Sequence, residues 1–321
     1  MDLRTKLRTD IEAVGGRHDE PEIYGGPAGD PGLAGGPGSI SWEINGDLAS
    51  VSAAGSAAIL MEVLHPSVMA GVSQQSTYRT EPLKRARNTL GYVLQTTFGS
   101  TEAATAVIAR VKHIHGFVNG TRPDGVEYRA LDPELIAWVH TCIPWAVMEA
   151  FHQYRRPLST AERDRYLSEQ APIGRMGGAE WVPESMAELE EYAERMRPLL
   201  AMTEQTREFV DFLAGDSDGE WRASAPRQLE RRLGLSASML LMPEWARHLS
   251  GTYQPKAVQQ AYLDPRARLE ARLVRWAYPM LPCQELAAAR AAAGSVEPAW
   301  PTTTSATTAS RAASSSTRMG T

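Results

Sequence analysis

Two histidines one residue apart carry the first chemical signal in this chain, in the run T-E-A-A-T-A-V-I-A-R-V-K-H-I-H-G-F-V-N-G at residues 101–120. At about 3.6 residues per turn, Val107, Val111, Ile114 and Val118 form one apolar stripe. His115 lies beside it, four residues after Val111 and three before Val118. His113, about 200° round the helix from His115, falls among the charged positions. An inward imidazole needs a partner, because a buried polar ring without a hydrogen bond or a metal is costly. Two arrangements answer that need: a core histidine bonded to a carbonyl, or an axial ligand to an iron cofactor through a neutral ring nitrogen.

Other side chains could act beside it. Arg85, Asn88, Thr89 and Tyr92 share one face of a helix expected over residues 81–98, with Pro82 in its first turn. That stripe is either solvated surface or the wall of a polar pocket in which Arg85 is a charged donor and Thr89 a hydroxyl donor. The opposite face holds Ala86, Leu90, Val93, Leu94 and Thr97. His140 lies in an apolar helix that Asp132 caps, Pro133 opens and Tyr154 ends. Pro144, four residues on, cannot donate to the His140 carbonyl and is expected to kink the helix there. His140 is then either a satisfied core residue or a pocket residue. Glu62 with His65 and Glu149 with His152 repeat a spacing used by carboxylate di-metal sites, but no matching lone glutamates accompany them. No phosphate loop, dinucleotide fingerprint, H-E-x-x-H or G-x-S-x-G element is present.

The elements that must hold these groups are helical. Residues 54–66 read as a helix of small side chains ending at His65, before Pro66, open to close approach by a backbone or a flat ligand. Residues 67–80 read as a connector, and N-G-T-R-P-D-G-V-E-Y-R-A as turns with a short hairpin. Further helices begin near Ser159, Pro183 and Thr203. After a break at D-S-D-G near Asp216 come helices over 226–233, 237–248 and 255–278. Glycine and proline crowd residues 15–39, and alanine, serine and threonine dominate from Gly294. The expected division is a flexible lead-in (1–40), one all-α domain (41–290) and a disordered tail (291–321).

Composition narrows the function. Hydrophobic residues at 43%, charged residues at 22% and a net charge of -5 describe an ordinary soluble globular protein. They supply neither a footprint for nucleic acid nor a polybasic membrane patch. The run M-D-L-R-T-K-L-R-T-D lacks the apolar core and small-residue cleavage site expected of a secretory signal, no window approaches a membrane span, and two isolated cysteines suggest neither a disulfide scaffold nor structural zinc. A cytoplasmic location without stable membrane insertion is expected, as a monomer or homodimer.

The runs M-E-V-L-H-P-S-V-M-A-G-V, R-A-R-N-T-L-G-Y-V, R-V-K-H-I-H-G-F-V-N-G and Y-R-A-L-D-P-E-L-I-A-W-V-H-T, in this order and spacing, resemble the oxygenase superfamily of the latex-clearing rubber oxygenases and the oxygenase of mycophenolic acid biosynthesis. The resemblance covers residues 41–213 well and the later helices loosely. It implies a mostly α-helical fold enclosing haem b, with His115 as proximal iron ligand. It further implies that Lys112 lies in a basic position near the haem, Arg85 and Thr89 near the opposite haem face, and His140 and Thr141 along the pocket. Where latex-clearing proteins carry a lysine able to ligate iron, this chain has Asn88, a poor iron ligand. The expected activity is oxidation of a small apolar, secondary-metabolite-like substrate with dioxygen or peroxide, with His140 moving protons and Arg85, Asn88 and Thr89 donating hydrogen bonds. Haem chemistry without oxygen insertion, such as oxidative coupling, dehydrogenation or rearrangement, is one alternative. A non-catalytic haem or apolar-ligand carrier is another.

Overall fold

The structure, a computed structural model, describes residues 2–215 and 225–294. The expected break near Asp216 and all of the expected tail (291–321) after Gly294 lie outside these, while residues 291–293 close the last helix. Helices α1 (Leu3–Gly15), α2 (Pro21–Tyr24) and α3 (Ile40–Asn45) precede α4 (Leu48–Val63), α5 (Pro66–Gln75), α6 (Pro82–Phe98) and α7 (Thr101–His115). A hairpin of β1 (Asn119–Thr121) and β2 (Glu127–Arg129) leads into α8 (Pro133–Tyr154), α9 (Thr160–Gly177), α10 (Met186–Met196) and α11 (Glu204–Ala214). The chain then forms α12 (Ala225–Met239), α13 (Glu244–Leu249), α14 (Lys256–Val258), α15 (Asp264–Ala277) and α16 (Pro282–Ala293). Among the described residues the only sheet is that antiparallel hairpin, so the all-α expectation holds.

The centre is α4 packed along α8. Ala54, Ala57 and Ala58 are buried in the main core, where small side chains let two helix backbones approach. Their smallness therefore serves helix packing. Trp138 of α8 is fully buried, and its indole N–H donates to the carbonyls of Met61 (3.2 Å) and Glu62 (3.3 Å) at the end of α4. In that tight last turn the same carbonyls also accept from the Leu64 (3.3 Å) and His65 (3.2 Å) N–H groups, and the indole adds a further donor. The chain turns through 107° before Pro66, as its proline requires, but residues 66–75 form α5 rather than a connector. His65 caps α5, its Nδ1 accepting from the Ser67 N–H (3.2 Å). No single helix among the described residues is long and apolar enough to cross a membrane.

Polar bridges fix α6 and α9 around this centre. Asn45 of α3 donates to Thr97 of α6 (2.9 Å) and accepts from the Tyr166 hydroxyl of α9 (2.8 Å), all three being buried. The glycine- and proline-rich segment after α1 has no regular structure beyond α2, yet it is tied down. The buried Arg290 guanidinium of α16 donates to the carbonyls of Tyr24 (2.7 Å), Asp30 (2.8 Å) and Phe98 (3.0 Å). The expected single helix over 237–248 is two pieces, because α12 ends at Met239 and Pro243 restarts the chain as α13.

Candidate active site

Helix α7 begins with Ser100, whose hydroxyl accepts from the Ala103 N–H (3.1 Å), and ends on His115. The hairpin anchors that end: Ala130 N–H donates to Val118 O (2.9 Å). Gln74 of α5 bridges the two strands, accepting from the Tyr128 hydroxyl (2.9 Å) and donating to Thr121 O (2.9 Å). The inward stripe is Ala104 and Ile108, buried, with Val107, Val111, His115 and Val118 half-buried. Ile114, expected within the stripe, is 49% exposed, since it lies at its edge, farther round the helix from Ile108 than Val111 and His115 are. His113 points outward and packs edge-on against Phe117, as expected.

No described residue hydrogen-bonds or ion-pairs with the His115 ring. Burial, helped by the positive charge of Arg85, holds its pKa below the ordinary histidine value, so the imidazole is neutral at neutral pH. A histidine in the last turn of a helix is usually favoured in its charged form, and here desolvation outweighs that. Arg85 reaches the site from α6, donating to the Ser76 hydroxyl at the end of α5. Burial lowers its pKa while the charges of Glu62 and Tyr78 oppose the shift. Glu62, on the inner side of α4, is 7% exposed, and its carboxyl accepts no hydrogen bond from a described residue. Burial raises its pKa to about 8 against the pull of Arg85, so it is mostly protonated at neutral pH. The structure thus gathers Glu62, Arg85 and His115 from three helices. The acidic residue had been legible only as one member of a metal-spacing pair, although a lone acid inside I-L-M-E-V-L is itself a signal.

The remaining candidates fall into separate places. Asn88 and Thr89 are exposed on α6, and the Thr89 hydroxyl donates back to Arg85 O (3.2 Å). Tyr92, one turn on, is half-buried, and burial pushes its pKa up to about 12. His140 packs against α9 so closely that a Cβ on Gly174 would sit 2.5 Å from its ring. Burial lowers the His140 pKa to about 4, with the Gln170 backbone opposing. Thr141 is buried and its hydroxyl makes no hydrogen bond. Lys112 is exposed, its ammonium close to Gly178 at the C-terminal end of α9, where a helix dipole favours a cation.

Burial dominates the pKa shifts of Arg85, Tyr92, His115 and His140, although each retains accessible surface. Two shallow surface hollows, of about 680 and 520 Å³, are lined by none of the candidate residues. The di-metal spacing has other causes. His65 caps α5, Glu149 pairs with Arg163 (2.6 Å), and His152 accepts from the Leu158 N–H (2.9 Å). Among the described residues no group of three or more metal-ligating side chains converges.

The sequence profile described as "ER-bound oxygenase mpaB/B′/Rubber oxygenase, catalytic domain" matches residues 42–276, and the chain belongs to that family. An uncharacterized protein of Mycobacterium tuberculosis and another of Mycobacterium bovis are each 26% identical to it over 171 residues. Those alignments cover 51% of this chain and 66% of each relative. No solved structure matches.

Proposed function

We propose that this chain is a haem b-dependent oxygenase acting on a small, largely apolar molecule, with His115 as the proximal iron ligand. The observation that carries the reading is the neutral, unpartnered His115 imidazole, within the field of an Arg85 charge that also acts on the buried Glu62, in a chain whose family is an oxygenase catalytic domain. The residues fit the group. A haem needs one or two axial ligands from the protein rather than a cluster, and His115 offers a free nitrogen without giving up a hydrogen bond.

When bound, the haem supplies the redox chemistry with dioxygen or peroxide, and the protein sets ligation, polarity and access. His115 would hold the iron. Arg85 would supply a fixed positive charge toward an anionic group of the cofactor or of a bound substrate. Asn88, where latex-clearing proteins have lysine, does not compete for iron, and with Thr89 it offers neutral polar groups at the exposed rim. Glu62, mostly protonated, can donate a proton or, once ionised, accept one; His140, kept neutral, can accept one. The unpartnered Thr141 hydroxyl is a donor available to a ligand on the α8 side.

The test is turnover by haem-loaded protein with a panel of unsaturated apolar compounds under ¹⁸O-labelled dioxygen. Products carrying the label support the oxygenase reading. Oxidised products without label replace it with coupling or dehydrogenation, and no substrate-dependent oxygen uptake across the panel contradicts it.

A further inference from the structure

Helix α15 has its side chains the wrong way round for a helix that meets only water on its outer face. It buries Ala267 and Ala271 in the core on the side that packs against α4, and Ala277 at its C-terminal end. It exposes its large ones: Leu269 is 57%, Leu273 42% and Trp276 47% accessible, and Tyr262 in the preceding turn is 47% accessible. Arg266, Leu269, Leu273 and Trp276 follow one another at intervals of three and four residues, which puts them within about 80° of each other round the helix. Scattered exposed apolar residues are ordinary, whereas a contiguous stripe of this kind marks an interaction surface.

Charge identifies what meets the stripe. Arg4 of α1 lies over the Trp276 ring (5.9 Å) and Arg8 over Tyr278 (4.8 Å), so α1 borders the same face. Residues 3–15 and 259–277 together hold seven basic and four acidic side chains; Arg275 among them is turned inward, paired with Asp47 and bonded to the Tyr154 carbonyl, which leaves a local charge of +2 on a chain whose net charge is -5. The whole-chain value therefore hides a basic, apolar face. A two-fold pairing of identical copies through this face would set like charge against like. An anionic lipid surface instead takes leucine and tryptophan into its headgroup boundary while arginines remain at the phosphates.

We propose that the α1–α15 face docks the protein onto an anionic membrane surface, lying on it without crossing it. Such docking would bring an enzyme for apolar molecules to where they accumulate, a consequence that rests on the proposed oxygenase function, although the docking itself does not.

Flotation of the full-length protein with vesicles of phosphatidylcholine alone or with 30 mol % phosphatidylglycerol tests this. Each engaged basic residue is worth about fivefold in partitioning at low salt, so binding to the anionic vesicles should exceed that to the neutral ones by at least about tenfold and weaken with salt. The triple variant Leu269→Ser, Leu273→Ser, Trp276→Ser should lose most of the binding while keeping the wild-type circular dichroism spectrum. Arg272→Glu, an exposed single change that disturbs no packing, should weaken binding several-fold and serves should the triple variant misfold. The proposal is overturned by equal binding to both vesicle types, by no binding to either, or by full binding of folded variants. A wild-type dimer in light scattering that these substitutions dissociate would also overturn it, assigning the face to a second copy. Haem content and oxygenase turnover should be unchanged by Arg272→Glu, so failure of docking and failure of the proposed function are read separately.

Discussion

Replacing Glu62 by glutamine tests whether the acid beneath the site is as enclosed as its surroundings indicate. Its pKa is raised from 4.5 to about 8, first by burial and against the opposing charge of Arg85. A carboxyl that is harder to ionise in the folded chain than in the unfolded one stabilises the fold fully below pH 4.5. That contribution falls away as the pH rises to about 8, because the unfolded chain alone gains from ionisation. At about 1.4 kcal/mol per pH unit, the interval sets a ceiling of about 5 kcal/mol, and relaxation and water entry around a buried ion lower the expected value to roughly 2–4 kcal/mol. Glutamine keeps the shape and cannot ionise. Urea unfolding of haem-free wild type and Glu62→Gln at pH 5, 6, 7 and 8 reads the effect, with the variant gaining stability over wild type by that amount between pH 5 and pH 8. A stability difference that stays constant across this range would refute the enclosed, unpaired carboxyl.

Other expectations concern the walls of the site. Gly174→Ala forces a Cβ to within 2.5 Å of the His140 ring, so α9 must move away from α8; a loss of about 1–3 kcal/mol in denaturant unfolding is expected, and a neutral result would contradict the close approach. Thr141→Val removes a buried hydroxyl that has no partner and should leave the haem-free protein as stable or slightly more stable; a loss of more than about 1 kcal/mol would reveal a hydrogen bond there. Burial lowers the pKa values of His65 and His140 to about 4 each, so the stability they contribute is present above pH 6.5 and disappears as the pH falls toward 4. Unfolding free energies of Glu62→Gln should therefore drop steeply from pH 6.5 to pH 4, and less steeply once His140→Gln is added.

Much of the helical frame was legible because local signals and packing agreed. Asp132 before Pro133 fixed the start of α8, Pro82 that of α6 and Ser159 that of α9, each by a cap or a proline that acts within one turn. The turn at Pro66 was legible for the same reason. The helix after it was not, since S-V-M-A-G-V-S-Q-Q has weak intrinsic preference, and its order comes from burial of Met69, Ala70 and Val72. Within the site, periodicity separated His115 from His113, because a helix presents neighbours two apart on opposite sides. Periodicity within one helix could not show that Glu62 of α4 and Arg85 of α6 converge on His115, since that depends on how three helices cross. Nor could it assign Asn88, Thr89 and Lys112, whose exposure is set by neighbouring helices.

The central claim is that His115 binds haem iron, and the most direct measurement is the absorption spectrum, with a pyridine haemochrome assay, of protein purified from cells given a haem precursor. Wild type, His115→Ala and His113→Ala should be compared, the last because it removes the outward histidine two residues away. A Soret band and near-stoichiometric haem b are expected in wild type and in His113→Ala, with loss of haem or a clearly shifted band in His115→Ala. A colourless wild type that takes up no haem on titration, or a His115→Ala spectrum identical to wild type, would contradict it.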